Sequence, residues 1–219
     1  MLETTRPRIT KKTMTVKSLV VFVLTLLIIF SYRFVKARKG KLLANNSDFL
    51  EAGQLLFPNH KTEFVNFFNS FIADKAKFIF EHEELLQDYD NFELEKLKAI
   101  EVLYIFGDSK KQLWVTDWRG EENEKEIETF IEKHLNQKVT WANAAKFRTD
   151  NAKADTREGD FVIGLFKQID KDLQQINQQL IFFSLGWDAY VFNTVDTKSF
   201  DQITTKLPSH FEGADKLRK

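Results

Sequence analysis

The sequence contains no cysteine, so disulfides, thiolate zinc sites, cysteine-held iron–sulfur clusters and cysteine nucleophiles are excluded. Proline and glycine are also scarce, with 3 and 8 residues in a chain of 219. Because both residues interrupt regular structure, their scarcity predicts a folded chain that is rich in helices and strands. Phenylalanine, in contrast, occurs 22 times and supplies the large apolar side chains that a core needs.

The sequence also lacks the motifs of common catalytic and cofactor sites. No two of His60, His82, His134 and His210 lie three or four residues apart, so no pair has the helical spacing of metal ligands. No dinucleotide fingerprint or nucleophile elbow occurs, and the segment 107–111 lacks the spacing of a phosphate loop. We therefore predict no cofactor and no metal, and we expect that the protein is not an enzyme.

The formal net charge of zero combines two oppositely charged parts of the chain. Residues 1–41 hold ten of the 32 basic residues and one of the 32 acidic residues, a net charge of +9, so residues 42–219 carry −9. A basic end next to an acidic domain is typical of an arm that contacts membranes or nucleic acid. Because an apolar run lies inside this basic end, we expect the membrane as partner and no nucleic acid.

This apolar run predicts a transmembrane anchor at residues 18–35. The stretch 19–32 has no charged residue, and eighteen helical residues span roughly 27 Å, close to a hydrocarbon core of about 30 Å. Lys17 and Arg33 would lie at the two membrane interfaces, with Tyr32 in the headgroup zone. The pattern indicates a single-pass signal-anchor; a cleaved signal peptide and a buried helix are the alternatives.

The orientation of this anchor is nearly balanced, because basic residues flank the run on both sides. Moving a short tail with five positive charges across a membrane is unfavourable, which places the domain outside the cytoplasm. The basic segment 33–41 favours the opposite side, since it suits an anionic cytoplasmic leaflet. We expect a bacterial inner-membrane protein whose domain lies outside the cytoplasm.

Helical periodicity predominates before residue 100. A stripe of apolar residues at helical spacing predicts a helix that buries this face in the core. If the stripe is instead exposed, it favours homo-oligomerisation beside the membrane. The stripe consists of Phe64, Phe67, Phe68, Phe71 and Ile72.

After residue 100 the pattern changes to strands in two hairpins. "EVLYIF" is a run of β-forming residues, and with "QLWVTD" it predicts a first hairpin over 101–117. "QLIFFSL" and "AYVFNTV" predict a second hairpin around Gly186. The remaining predictions are helices at 121–135, 160–176 and 197–206, a short strand at 138–143 and a loop at 145–158.

This order predicts an α+β fold: an N-terminal single transmembrane helix, a helical segment, and a mainly antiparallel sheet of two hairpins with helices packed on one face. The predicted divisions are a basic N-terminal tail at 1–17, the anchor at 18–35, a basic juxtamembrane linker at 36–46, the helical segment at 47–100, the α+β domain at 101–207 and a charged tail at 208–219.

The stretch "VTDWRGEENEKE" at 115–126 resembles an acidic site at first sight. Glu121 and Glu122 fall at a predicted helix N-terminus, where acidic side chains offset the helix dipole. A large apolar ring at this polar junction has no such explanation, and a second Trp–Asp neighbour pair follows at 187–188. Because acidic surfaces and Trp anchors suit protein recognition, we predict a binding surface. Its residues are Asp117, Trp118, Arg119, Trp187 and Asp188.

These two segments resemble a bacterial domain-of-unknown-function family. In that family a strand that ends in Asp-Trp-Lys-Gly-Glu precedes a helix, and a late strand carries Asp-x-Tyr-Val. The matching positions are 117–121, with Arg119 in place of Lys, and 188–191. The similarity extends over about 95–206 and supports the fold, but it implies no activity; the predicted membrane span departs from it.

Three functions are compatible with these features. The first, which we favour, is a non-catalytic protein-interaction module, either an envelope accessory factor or an immunity-type protein. The second is a metal-assisted hydrolase, which requires that Asp117, Glu121, Glu122 and Asp188 converge. The third is a structural protein that forms homo-oligomers near the membrane.

Overall fold

The computed structural model describes residues 46–89, 92–152 and 159–218. Asn45–Lys219 form a compact unit. The predicted anchor at 18–35 and its interface residues Lys17, Tyr32 and Arg33 lie outside the described residues.

The predicted fold class must be corrected for its transmembrane helix. In the described ranges, no helix is long and apolar enough to cross a membrane. The helix Gly159–Gln174, for example, has 16 residues and would span about 24 Å, shorter than a hydrocarbon core of about 30 Å. The class that the structure supports is α+β with a four-stranded antiparallel sheet.

Helices predominate in the first half of the described chain. Short 3-10 turns at Pro58–His60, Gln87–Tyr89 and Leu94–Lys96 connect some of them. The helices are α1 (46–56), α2 (Lys61–Ala73), α3 (Lys75–Glu81), α4 (Glu83–Leu86) and α5 (Ala99–Ser109).

Strands and helices alternate in the second half. A final 3-10 turn at Ala214–Lys216 follows the last strand. The elements are β1 (Trp114–Asp117), α6 (Glu126–Leu135), α7 (Ala142–Asp150), α8 (Gly159–Gln174), β2 (Gln178–Phe183), β3 (Ala189–Asp196), α9 (Thr197–Lys206) and β4 (Phe211–Glu212).

The strands form one sheet in the order β1-β3-β2-β4, with every neighbouring pair antiparallel. The hairpin of β2 and β3 is the predicted second hairpin, and it forms the centre of the sheet. β1 joins β3 with Trp114 opposite Phe192 and Asp117 opposite Ala189. Because β1 is short, its pairing ends at Phe192 and does not reach the last four residues of β3.

Helices cover both faces of this sheet, so the prediction of helices on one face is wrong. In β2, Ile181 and Phe183 join a core with α1, α2 and α5, which we call the first face. Leu180 and Phe182 join a second core with α6 and α8, the second face. Because side chains alternate across a strand, a strand that is apolar at consecutive positions requires a cover on each side.

The predicted hairpin at 101–117 is also wrong, because its first half is helix α5. The backbone N–H of Lys98 donates to Glu101 Oε2 at 2.7 Å and begins the helix. Of the predicted strand 101–106, residues 102–106 are all buried. A helix that is buried on every side has no amphipathic period, so the β-forming residue types misled the sequence interpretation.

Helix α7 overlaps the end of the short strand predicted at 138–143 and replaces the first part of the loop predicted at 145–158, of which residues 153–158 lie outside the described residues. Its N-terminus is capped by a residue of α8, because Asp172 accepts hydrogen bonds from the backbone N–H groups of Asn143 and Ala144, each at 3.0 Å. Asp172 is 2 % exposed. A cap supplied from about thirty residues away leaves no local sequence signal.

Phenylalanine rings fill the first face. Phe64, Phe68 and Phe71 of α2 are buried there, as the apolar stripe predicts. The ring of Phe64 covers Gly53 of α1 so closely that a Cβ at Gly53 would lie 2.0 Å from the ring Cζ. Glycine at this position therefore permits the contact between α1 and α2.

Candidate functional site

The predicted binding residues meet at one end of the sheet. Asp117 at the end of β1 lies opposite Ala189 at the start of β3. The segments 117–119 and 187–188 therefore leave the sheet side by side. Sequence alone could not establish this neighbourhood, because 70 residues separate the two segments.

A tight turn follows β1 and shapes this end of the sheet. Asp117 Oδ1 accepts a hydrogen bond from the backbone N–H of Arg119 at 2.8 Å, and the N–H of Gly120 donates to the Asp117 carbonyl at 2.9 Å. Gly120 has a φ of 97°, which only glycine adopts easily. The turn presents Trp118 half-buried, with the Arg119 guanidinium 5.3 Å from its ring centroid. A cation at this distance from an aromatic ring is attracted to it by about 0.5–1 kcal/mol at an exposed site.

The two tryptophans of the predicted surface differ in their surroundings. Trp187 packs against the first-face core, with its ring centroid 4.7 Å from that of Tyr104 and 5.4 Å from that of Phe92. It is therefore mainly a packing residue, while Trp118 is half-buried without being part of either core in the described chain, and Asp188 is exposed. Of the two rings, Trp118 is the one available as an anchor.

The chain then turns inward to a buried ionic triad of Glu121, Glu128 and Arg148. Arg148 lies 2.7 Å from a carboxylate oxygen of Glu121. It also donates from Nε and Nη2 to Glu128, at distances between 2.8 and 3.1 Å. All three side chains are at most 11 % exposed. Two carboxylates around one guanidinium leave one excess negative charge, which is costly away from water.

The excess negative charge affects the pKa of Glu121. Burial raises the pKa of Glu121 above its ordinary value, and the nearby Glu128 carboxylate adds to this rise. Arg148 and the backbone N–H of Ile127, which donates to Glu121 Oε1 at 3.1 Å, lower the pKa in opposition. A carboxyl group with a raised pKa beside a cavity is a candidate functional group.

A cavity of about 420 Å³ opens beside the triad. Its wall includes Glu121, Glu122, Glu124, Arg148 and Phe161. Three carboxylates and one guanidinium give this lining two excess negative charges when all are ionised. The cavity therefore favours a cationic group, such as an ammonium or a guanidinium.

Among the described residues, the acidic side chains do not form the metal-binding cluster that a metal-assisted hydrolase requires. Glu121 is held by Arg148 in the interior, while Asp117 accepts the turn hydrogen bond and Asp188 is exposed. In the part of the chain that the structure describes, no group of three His, Asp or Glu side chains could hold a metal ion. Arg148, the centre of the triad, was missed because its segment was predicted to be a loop.

The apolar stripe of α2 does not form the exposed patch expected of a homo-oligomer. Phe64 is 0 % and Phe71 is 7 % exposed. Phe67 is half-buried and lines a hollow of about 510 Å³ together with His82 and Phe106. The stripe therefore does not provide the exposed apolar patch that would favour homo-oligomerisation.

Comparison with known protein families identifies the family to which this chain belongs. The family model described as "Domain of unknown function (DUF6630)" matches residues 48–207, most of the chain, and the chain belongs to this family. The match begins in α1 and ends just after α9, so it includes the sheet hairpin and both of its covering layers. No curated protein and no solved structure matches the chain.

Proposed function

We propose that this member of the DUF6630 family is a non-catalytic interaction module, which binds a basic segment of a protein partner at the acidic end of its sheet. The observation that carries the proposal is the acidic cavity, whose lining residues Glu121, Glu122 and Glu124 follow in sequence the β1 turn that bears the half-buried Trp118. An arginine or lysine of the partner would enter the cavity, and an apolar part of the partner would cover the Trp118 ring.

The charge of the site supports a basic partner. Glu122 and Glu124 are exposed at the cavity rim, and the cation nearest Glu124, Lys125, is 3.9 Å from it. The internal Arg148 shows how this environment holds a guanidinium, with carboxylates on two sides. Residues 42–219 carry a net charge of −9, which adds long-range attraction for a basic partner.

The aromatic part of the site supports protein recognition. Trp118 lies in a turn whose backbone is held by two hydrogen bonds, and its ring is in contact with the Arg119 guanidinium, so the ring loses little freedom on binding. Trp and Arg side chains are enriched among the residues that dominate interface energies. Trp118 and Arg119 place one of each at the surface, in contact with one another.

The experiment uses the full chain and a fluorescein-labelled nonapeptide with three arginines, measured by fluorescence anisotropy at low and at high salt. We expect the double variant Glu122→Gln/Glu124→Gln to weaken binding about tenfold, because two rim charges are lost. We expect Trp118→Ala to weaken binding by at least about tenfold, as removal of an interface anchor does.

The matched control is Glu83→Gln/Glu84→Gln, which removes two neighbouring exposed carboxylates from α4 on the first face. The control should bind the peptide as the unmodified chain does. Equal weakening by both double variants would mean that only the net charge attracts the peptide, and the proposed site would be rejected. An unchanged affinity of Trp118→Ala would remove the anchor from the proposal.

A further inference from the structure

A second cavity lies where β1 stops short along β3. It has a volume of about 530 Å³ and is bordered by the ends of α1 and α6, the start of α2, and the last residues of β3. Five amide side chains line it, and they offer donors and acceptors for a polar ligand. They are Gln54, Asn59, Gln112, Gln178 and Gln202.

One side chain in this wall has an unmet hydrogen-bonding requirement. Thr194 is 4 % exposed, and its Oγ1 has no hydrogen-bond partner among the described residues. Its backbone N–H is satisfied by the side-chain oxygen of Asn193 at 2.7 Å, so the unmet group is the hydroxyl. A buried polar group without a partner costs roughly 1–3 kcal/mol, and such groups in native proteins commonly mark a site for water or a ligand.

The charged groups of the cavity favour an anion. Lys61 and Lys198 line it and are exposed at its rim. The carboxylate of Asp196 is the one acidic group in the lining, and it already accepts hydrogen bonds from the Ser199 N–H and hydroxyl as the cap of α9. His134 presents an imidazole whose pKa is lowered by burial, so it adds no fixed positive charge.

The start of α2 adds a favourable dipole. This 13-residue helix begins at Lys61, and no side chain caps its N-terminus. Pro58 and Asn59, which precede it, also line the cavity. The first N–H groups of an uncapped helix attract an anionic oxygen, and Lys61, the first residue of α2, lines the cavity.

We propose that this cavity binds a small phosphorylated molecule, with Lys61, Lys198 and the Thr194 hydroxyl as donors to its phosphate. The two ammonium groups and the Asp196 carboxylate leave the lining with one net positive charge, which favours an anionic phosphate together with the helix dipole. The cavity is much larger than a phosphate ion, so the rest of the ligand meets the surrounding amide side chains. This site is separate from the acidic cavity at the other end of β1 and does not depend on it.

The test measures the thermal unfolding midpoint of the full chain in sodium phosphate and in sodium glycerol phosphate, against sodium chloride of equal ionic strength. A ligand at ten times its Kd should raise the midpoint by about 3–5 °C. Glycerol phosphate should bind more tightly than inorganic phosphate if the amide side chains contact the organic part. No rise with either compound beyond that in chloride would overturn the proposal.

Thr194→Val tests the hydroxyl without a change of shape. This variant should fold at least as stably as the unmodified chain, because it removes a buried hydroxyl that has no described partner. We expect a loss of affinity of about tenfold, because the variant cannot form one hydrogen bond to a charged group. Thr194→Ser should restore the affinity, since it keeps the hydroxyl. Equal affinities of the valine and serine variants would reject Thr194 as a ligand-binding residue.

Lys61→Ala/Lys198→Ala tests the charges, and both positions are exposed, so the fold should tolerate the changes. The double variant should lose at least about tenfold in affinity and most of its salt dependence. Lys133→Ala is the matched control, since Lys133 is exposed next to His134 but does not line the cavity. Equal loss in the control would show general attraction of phosphate to lysines and would overturn the proposal.

Discussion

The two faces of the sheet differ in the residues that are buried against them. The first face is dominated by phenylalanine rings, many within 6 Å of another ring. The second face also has an apolar core, but three carboxylates lie against it, two in the triad with Arg148 and one at the cap of α7. The residues concerned are Glu121, Glu128 and Asp172.

Because of this difference, the buried residues of the two faces stabilise the fold in different ways. Apolar rings stabilise a fold without directional requirements, so one ring can be exchanged for another of similar volume at modest cost. Buried charges stabilise only when every partner is present, and they specify one arrangement of the chain. The acidic cavity opens on the second face, where such charges are already held in place.

The largest effect should come from the first face. Phe64→Ala removes a fully buried ring that contacts Phe57, Phe68 and Phe106. We expect a loss of about 3–5 kcal/mol in the free energy of unfolding, because a cavity replaces the ring. Urea unfolding followed by circular dichroism measures this loss. Phe80→Ala is the control, since Phe80 is 79 % exposed and its removal should change stability by less than about 0.5 kcal/mol.

The next effect should come from the triad. Arg148→Met keeps most of the side-chain volume but leaves Glu121 and Glu128 buried without a counter-ion. We expect a loss of about 3 kcal/mol at pH 7, and a smaller loss at pH 5 because the carboxylates can then take up protons. Urea unfolding at pH 5 and at pH 7 measures the loss of stability under each condition. A loss that is equal at pH 5 and pH 7 would contradict the assignment to uncompensated charge.

Asp172→Ala should have a smaller effect. The substitution removes the acceptor for the N–H groups of Asn143 and Ala144, so the start of α7 loses its cap. We expect a loss of about 1–2 kcal/mol, the range for helix caps. Amide hydrogen exchange should show faster exchange in α7 than in α9, whose own cap at Asp196 is unchanged. Equal acceleration in both helices would indicate global loss of stability instead.

The smallest effect is a pH dependence of Glu121. Its pKa in the folded protein is raised by burial, so the folded state binds this proton more tightly than the unfolded state does. The contribution of Glu121 to stability therefore increases as the pH falls from 7 through the raised pKa towards the ordinary value. Relative to Glu121→Gln, the unmodified chain should gain stability over this interval. A relative loss would show that the pKa is lowered instead.

Patterns of residues near one another in sequence predicted much of the fold. The apolar stripe of α2, the last helix at 197–206 and the hairpin of β2 and β3 are confirmed. Helix α5 was mistaken for a strand because complete burial removes the helical period. Helix α7 was missed because its cap and its Arg148 partners lie in other elements.

The binding residues show the same division. The Asp–Trp pair at the end of β1 and the Trp–Asp pair before the start of β3 could be identified from residue types. That they are neighbours follows only from the pairing of β1 with β3 in the structure. The triad could not be anticipated, since Glu121 and Glu128 have an adequate local role near a helix N-terminus. The unsatisfied Thr194 hydroxyl is a property of its surroundings and leaves no trace in sequence.

Sequence by itself determined the composition of the parts: abundant phenylalanine for the cores, no cysteine chemistry, an acidic region after residue 41 and the strand pattern of β2 and β3. Tertiary structure decided which groups meet. It placed helices on both faces of the sheet, enclosed Arg148 between two carboxylates and ended β1 early enough to leave a cavity along β3. The physical reason is that periodicity and residue type act over a few residues, whereas charge pairing, capping and burial depend on contacts between distant segments.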